Sequence, residues 1–149
     1  MRTRTLIELG LASFLLSVPE GCGGGKVETA PKLVPVTGIV RLDQKPVSGV
    51  FVVFVPGSNT PGEGGEGRTD KNGRYELVAP GGRAGVAPGE YQVTCAKLVM
   101  SDGSDFSPVR HAPPKKQILP LRYSNPKETV LRRTVVSDGG EIDFDLKSR

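Results

Sequence analysis

Short runs in which apolar and polar residues alternate begin near residue 34 and recur to the end of the chain. Side chains of a β-strand point alternately to its two faces, so each run predicts a strand with one buried face. The runs lie in residues 34–42, 74–77, 91–97 and 142–147. Their predicted inward positions are Val36, Gly38, Val40, Leu42, Tyr75, Leu77, Tyr91, Val93, Cys95, Ile142, Phe144 and Leu146.

One further run is apolar on both faces. It occupies residues 47–55, and every position from Val50 to Val55 is valine or phenylalanine. A strand that is buried on both faces has a continuous apolar run of this kind. The pattern therefore predicts a central strand that is covered on both sides and ended by Pro56.

The turn chemistry of the chain is clearest at Asp70-Lys71-Asn72-Gly73. A β-turn favours Asp at its first position and Gly at its last, and Asn tolerates a positive φ. Asp70 and Asn72 could also begin a calcium loop, but that loop needs a glutamate at its twelfth position, where this chain has Gly81. We therefore predict that Asp70 and Gly73 form a structural turn. Gly89 marks another place where the backbone turns or approaches closely.

A glycine motif precedes this turn. Gly62, Gly64 and Gly67 match the pattern G-x-G-x-x-G, which holds a pyrophosphate only between a strand and the start of a helix. Glu63 and Glu66 would repel that anion, and the residues that follow enter a turn. The motif therefore predicts a loop over residues 56–67 without a phosphate site.

The strand spacing predicts the fold class. No apolar pattern with a helical period follows residue 20, and 20 glycines and 13 prolines are typical of a chain with many turns. We predict an all-β fold, a Greek-key β-sandwich of seven strands (six to eight), over residues 34–147. Asp138-Gly139-Gly140 is predicted to be a hairpin turn between a strand at residues 129–136 and the last strand.

The first residues have the pattern of an export signal. Two arginines, Arg2 and Arg4, precede an apolar stretch that ends at Val18. Cys22 follows a glycine and precedes three more, which resembles a bacterial lipoprotein processing site. The pattern predicts a signal peptide over residues 1–21 and a Gly-rich tether over residues 22–33.

In such proteins the cysteine is lipidated and becomes the new N-terminus. We therefore expect an exported protein, anchored through Cys22 in the cell membrane or outer membrane and facing the periplasm or the surface. Pro19 and Glu20 stand where the usual site has an aliphatic and a small residue. A plain cleaved signal and an uncleaved leader therefore remain alternatives.

Charge and composition narrow the function. The net charge is +4, and the basic residues form no stripe interleaved with aromatic residues, which argues against nucleic acid as a partner. His111 is the only histidine. The two cysteines either pair or have separate roles, and the inward position of Cys95 favours a buried apolar role. We predict no catalytic residues, no metal site and no cofactor.

Several motifs in order resemble the carboxypeptidase regulatory-like domain, and the resemblance covers residues 34–147. The matching segments are Val36-Thr37-Gly38-Ile39-Val40, residues 43–50 and 53–56, Thr69-Asp70-Lys71-Asn72-Gly73-Arg74-Tyr75 and residues 88–93. The resemblance implies a transthyretin-like (prealbumin-like) fold. Residues 119–123, 125–126 and 142–146 resemble the version found in small exported lipoproteins of planctomycete-type bacteria.

The resemblance and the leader together predict a non-catalytic, membrane-tethered module of the cell envelope with a structural or protein-interaction role. A glycan-binding module is the alternative, with Phe106 and Tyr123 as weak candidate contacts because they lie in irregular segments. A transthyretin-related hydrolase is a remote alternative, since that family relies on several histidines and a C-terminal Tyr-Arg-Gly-Ser. If the function depends on a local site, we expect that site in the loops at residues 56–67 and 98–126.

Overall fold

A computed structural model describes residues 30–106 and 116–149. Their regular secondary structure is almost entirely β-strand, as the alternating pattern predicts. They form thirteen strands and one single-turn helix. The elements are β1 Val36–Leu42, β2 Lys45–Pro46, β3 Phe51–Pro56, β4 Gly65–Arg68, β5 Arg74–Glu76, β6 Val78–Ala79, β7 Arg83–Ala84, β8 Gly89–Ala96, β9 Leu98–Val99, β10 Lys116–Gln117, α1 Leu121–Ser124, β11 Arg132–Val135, β12 Gly140–Glu141 and β13 Phe144–Leu146.

Two main sheets hold most of the strands. The six-stranded sheet has the order β11-β8-β3-β4-β6-β7 and is antiparallel throughout. In the five-stranded sheet β1 is central: β2 and β5 pair with it antiparallel, and β12 and β13 pair with it parallel. A third sheet consists of β9 and β10 alone.

The two main sheets share one core. Phe54 of the six-stranded sheet packs edge-on against Phe144 of the five-stranded sheet, with ring centroids 6.1 Å apart. The predicted inward residues Val36, Val40 and Leu77 are fully buried. The other members of the core with less than 2% exposure are Val50, Val52, Val86, Tyr91, Val93, Cys95 and Leu146. Burial of this apolar surface is the main term that holds the two sheets together.

The chain passes between the two sheets more often than the alternation suggests. The turn at residues 70–73 leads from β4 in the six-stranded sheet to β5 in the five-stranded sheet. Leu77 then returns the chain to the six-stranded sheet at β6, and its backbone N–H donates to the Val36 carbonyl. The crossing at Leu77 separates two short strands, β5 and β6. The strands outnumber the predicted six to eight mainly because two-residue strands also form outside the predicted runs, as at β2, β7, β9 and β10.

The prediction of a hairpin at Asp138-Gly139-Gly140 is wrong. The strand before it, β11, pairs with β8, whereas β12 and β13 after it pair with β1 in the other sheet. Gly139 has φ 73°, and a side chain there would collide with the Pro35 carbonyl. The glycines therefore allow a close crossing between sheets, which has the same local chemistry as a hairpin turn.

The predicted strand at residues 47–55 also needs correction. It begins at Phe51, and it is central in its sheet as predicted. Its inner face is buried at Val52 and Phe54, but on the outer face Val55 is 40% exposed. The strand is therefore covered completely on one side only. In addition, β4 starts at Gly65, inside the stretch predicted to be a loop.

Candidate functional site

Asp70 and Gly73 form the turn that crosses between the sheets. The Asp70 carboxylate accepts hydrogen bonds from the backbone N–H groups of Asn72 and Arg74, at 2.8 and 2.9 Å. The Gly73 N–H donates to the Asp70 carbonyl at 3.0 Å, and Gly73 has φ 73°. The Oδ1 atom and the backbone carbonyl of Asp70 are thus hydrogen-bonded to the backbone of its own turn.

Tyr75 and Tyr91 are buried with their hydroxyls on backbone carbonyls. The Tyr75 hydroxyl donates to Ile142 at 2.6 Å, and the Tyr91 hydroxyl donates to Ala87 at 2.7 Å. Burial raises the pKa of both phenols above the ordinary value. Both side chains therefore stay neutral, and each one ties two parts of the backbone together through the core.

Gly89 lies where β8 meets the loop at residues 56–67. A side chain at Gly89 would collide with Thr60, whose hydroxyl donates to the Glu90 carbonyl and accepts from the Glu90 N–H, both at 2.8 Å. The absence of a side chain at this position lets Thr60 hold the first residues of β8.

The structure does not bring Phe106 and Tyr123 to a common site. Tyr123 is 7% exposed, its hydroxyl accepts a hydrogen bond from the Lys147 N–H at 3.2 Å, and the Arg122 guanidinium lies 4.8 Å from its ring centre. Phe106 is half-buried against Phe51, with ring centroids 6.3 Å apart. The burial and the hydrogen bond of Tyr123 are explained by a role in packing. The Phe106 ring already packs against Phe51.

Other predicted positions fall elsewhere. Cys22, with the rest of residues 1–29, lies outside the described residues, as does His111. Cys95 is fully buried and forms no disulfide with a described residue. Burial raises the pKa of its thiol to about 12, so the group is kept as an uncharged core side chain.

An open depression lies on the outer face of the six-stranded sheet. We call it the outer groove, and it has a volume of about 550 Å³. Its floor is formed by Val53, Val55 and Val78 on β3 and β6. Glu63 and Glu66 also line the groove. The turn after β6, with Pro80, Gly81 and Gly82, also lines it. The groove thus combines an apolar floor with two carboxylates.

Strand register places the floor residues side by side. Glu66 of β4 is directly opposite Val53 of β3 on one side and Val78 of β6 on the other. Neighbouring strands lie about 4.8 Å apart. Val53, Glu66 and Val78 therefore form one row across three strands, with Val55 two residues further along β3.

The two ends of this face differ. At one end Phe51 lies under Phe106 and the Arg68 guanidinium, which is 5.1 Å from its ring centre and donates to the Phe106 carbonyl at 2.8 Å. At the other end Val55 and Val78 are 40% and 38% exposed. The face is covered where the segment at residues 98–106 crosses it and open beside the groove.

Sequence reasoning missed this groove because it expected a cover on both faces of residues 50–55. One signal was available: the run is apolar on both faces, yet the sequence contains no helical pattern that could cover the second face. The predicted loop at residues 56–67 does contribute Glu63 and Gly65 to the groove.

A second, smaller groove of about 350 Å³ lies beside the edge strand β11. Its lining includes Glu90, Arg132 and Arg133, so it carries both signs of charge. Within residues 30–106 and 116–149, no three His, Cys, Asp or Glu side chains come together in a way that could hold a metal ion. The same residues contain no helix with the length and apolar character needed to cross a membrane.

Comparison with models of known protein families finds no match, and comparison with curated proteins finds none either. Among solved structures, the chain is similar to a 9R-lipoxygenase from Cyanothece PCC8801, with 17% sequence identity and a TM-score of 0.34. The similarity covers 77% of this chain and spans only 16% of the lipoxygenase. A likeness at this level supports no conclusion about fold family or activity.

Proposed function

We propose that this protein is a non-catalytic module of the cell envelope, tethered to a membrane through Cys22, that binds a partner protein through the outer groove. The observation that carries the proposal is the set of exposed valines that line the outer groove on the outer face of the six-stranded sheet. Val55 and Val78 are each more than a third exposed in the middle of a folded sheet. Exposed apolar side chains that line one groove are better candidates for an interaction site than exposed residues scattered singly.

The fold part of the proposal is a Greek-key β-sandwich of the transthyretin-like type, as in carboxypeptidase regulatory-like domains. Two main sheets that share one core are compatible with it. The motif residues support a structural role for the shared segments. Asp70, Tyr75 and Tyr91 each direct a polar side-chain atom to the protein's own backbone.

The tether part rests on the sequence of the leader. Cys22 precedes a glycine run, and the first described residue, Ala30, lies eight positions after it. Eight residues span at most about 29 Å even when the chain is fully extended. A lipid at Cys22 would therefore hold the folded domain close to the membrane surface.

Two measurements test the proposal. Mass spectrometry of the membrane fraction should find diacylated Cys22 at the N-terminus, and a Cys22→Ser variant should move to the soluble fraction. An unmodified soluble N-terminus in the wild-type protein would overturn the tether.

The second measurement compares proteins captured from an envelope extract by the wild type and by a Val55→Ser/Val78→Ser double variant. The groove variant should lose a specific partner that the wild type captures. Val130→Ser is the matched control, because Val130 is 69% exposed and does not line the groove. Equal capture by all three proteins would remove the outer groove as the interaction site.

A further inference from the structure

The two glutamates at the outer groove form no ion pair with a described residue. The ion pairs formed by residues 30–106 and 116–149 involve neither Glu63 nor Glu66. Both carboxylates are exposed. This local negative charge occurs in a chain whose net charge is +4.

The nearest basic side chain on the same face of β4 is already engaged. Arg68 lies two residues after Glu66 and therefore points to the same side of the strand. Its guanidinium stacks on Phe51 and donates to the Phe106 carbonyl. Arg68 is thereby directed to the covered end of the face, away from the two glutamates.

The groove consequently offers apolar contact and negative charge in one row. In the row Val53–Glu66–Val78 a carboxylate stands between two valines, each about one strand spacing away. A ligand that fills this row gains most if it places a basic group between apolar groups. A neutral apolar ligand would leave Glu66 partly desolvated without a partner, which costs free energy.

We propose that the outer groove binds a segment of a partner protein in which lysine or arginine residues are interspersed with aliphatic residues. The basic side chains pair with Glu63 and Glu66, and the aliphatic side chains cover Val53, Val55 and Val78. This inference rests on the proposed function and adds the chemical class of the partner to it. Charge complementarity selects a basic segment over neutral and acidic ones.

The test uses the full-length protein in detergent and three fluorescent octapeptides with amidated C-termini. The probes are Val-Val-Lys-Lys-Val-Val-Lys-Lys, the same peptide with glutamine for lysine, and the same peptide with glutamate for lysine. Each face of this peptide, when extended, presents a lysine between two valines. Fluorescence anisotropy should show that the lysine peptide binds most tightly and the glutamate peptide least. The affinity of the lysine peptide should fall when salt is raised from 0.05 to 0.5 M, because screening weakens exposed charge pairs.

The carboxylates are tested by the double variant Glu63→Gln/Glu66→Gln. Loss of two exposed ion pairs should weaken binding of the lysine peptide about fivefold. The control is Glu76→Gln, which removes one carboxylate charge at an exposed position of β5 in the other sheet. This control should bind the lysine peptide as the wild type does. Unchanged thermal denaturation of both variants verifies that they are folded.

Three results would overturn the inference. The lysine and glutamine peptides bind equally, the double variant binds the lysine peptide as tightly as Glu76→Gln does, or no peptide binds. If binding is equal for the lysine and glutamine peptides but is lost in Val55→Ser/Val78→Ser, the groove is still an interaction site and only the charge preference fails. The membrane tether is tested separately at Cys22.

Discussion

The outer faces of the two main sheets are built differently. On the five-stranded sheet, charged side chains pair with one another: Arg41 lies 2.9 Å from Asp143 and 3.4 Å from Asp145, and Arg74 lies 3.7 Å from Glu141. On the six-stranded sheet, the open end carries valines and two glutamates outside any described ion pair. The charged side chains of the first face pair with one another, whereas the valines and glutamates at the open end of the second face are left exposed.

This contrast originates in the backbone of the last two strands. The Ile142 carbonyl lies over Gly38 between β12 and β13, and the Asp143 carboxylate accepts the Ile39 N–H at 2.8 Å. The side chain of Asp143 thus replaces a backbone partner where the parallel pairing with β1 is interrupted. No comparable side chain lies across the valines of the outer groove among the described contacts.

The largest effect is expected from Gly38→Ala. A β-carbon at this position would collide with the Ile142 carbonyl and would lie 2.9 Å from the Tyr75 ring. Since the carbonyl belongs to the backbone, the strand must move. We expect a loss of about 3 kcal/mol in the free energy of unfolding.

Urea denaturation measures this loss, with Thr37→Ala as the control on the other face of the same strand. A loss for Gly38→Ala no greater than that for Thr37→Ala would show that β13 can shift freely, and the five-stranded sheet would then be less closed than its contacts indicate.

A smaller effect is expected from Asp143→Ala. The change removes the acceptor for the Ile39 N–H and the partner of Arg41, and it should lower the free energy of unfolding by about 1–2 kcal/mol. Glu66→Ala removes a carboxylate from the other outer face and should change stability by no more than about 0.5 kcal/mol. If the two variants lose equal stability in urea, the contrast between the faces is not energetic.

The predicted and observed structures agree on the side chains whose direction follows from local alternation of apolar and polar residues. Val36, Val40, Tyr75, Tyr91 and Phe144 point inward as predicted. The partners of the strands were not predictable in the same way, because pairing of β13 with β1 joins residues about one hundred positions apart. A local pattern specifies which face is buried but not which strand lies alongside.

The glycine strand β4 shows a second limit of the sequence. Glycine has low strand propensity, so the sequence predicts a loop at Gly65 and Gly67. In the structure a β-carbon on Gly65 would lie 2.5 Å from the Val86 side chain, and one on Gly67 would lie 2.5 Å from the Glu76 carbonyl. Glycine is required because other segments pass close to β4. The same packing places Glu66 between two valines, which no local pattern indicates.

Acid should weaken the five-stranded sheet in a defined range. Burial works to raise the pKa of the Asp143 carboxyl, but the hydrogen bonds from Arg41 and the Ile39 N–H outweigh it and hold the pKa below the ordinary value. A carboxyl whose pKa is lowered by folding stabilises the protein above the unfolded pKa, about 4, and this stabilisation is lost as the pH falls through the folded pKa.

The effect should be smaller than that of Asp143→Ala, because protonation leaves an oxygen that can still accept the Ile39 N–H. Urea titrations between pH 6 and 2.5 measure it, with Asp143→Asn as the variant that keeps an acceptor and does not titrate. The difference in stability between wild type and Asp143→Asn should shrink as the pH falls below about 4. If the difference in the free energy of unfolding stays constant over this range, Asp143 stabilises the protein through its shape and hydrogen bonding and not through its charge.

The smallest effect is expected from Val55→Ser in the outer groove. Because Val55 is 40% exposed, its burial contributes little, and the free energy of unfolding should change by no more than about 0.5 kcal/mol. Val52→Ala on the inner face of the same strand is the contrasting control, and it should cost about 2 kcal/mol because Val52 is fully buried. A large loss for Val55→Ser in urea would mean that part of this chain covers the groove, and the open face would then belong to the fold. A small loss would show that the stability of the fold does not require Val55 to be apolar. An apolar side chain that the fold does not require is what a binding surface is expected to contain.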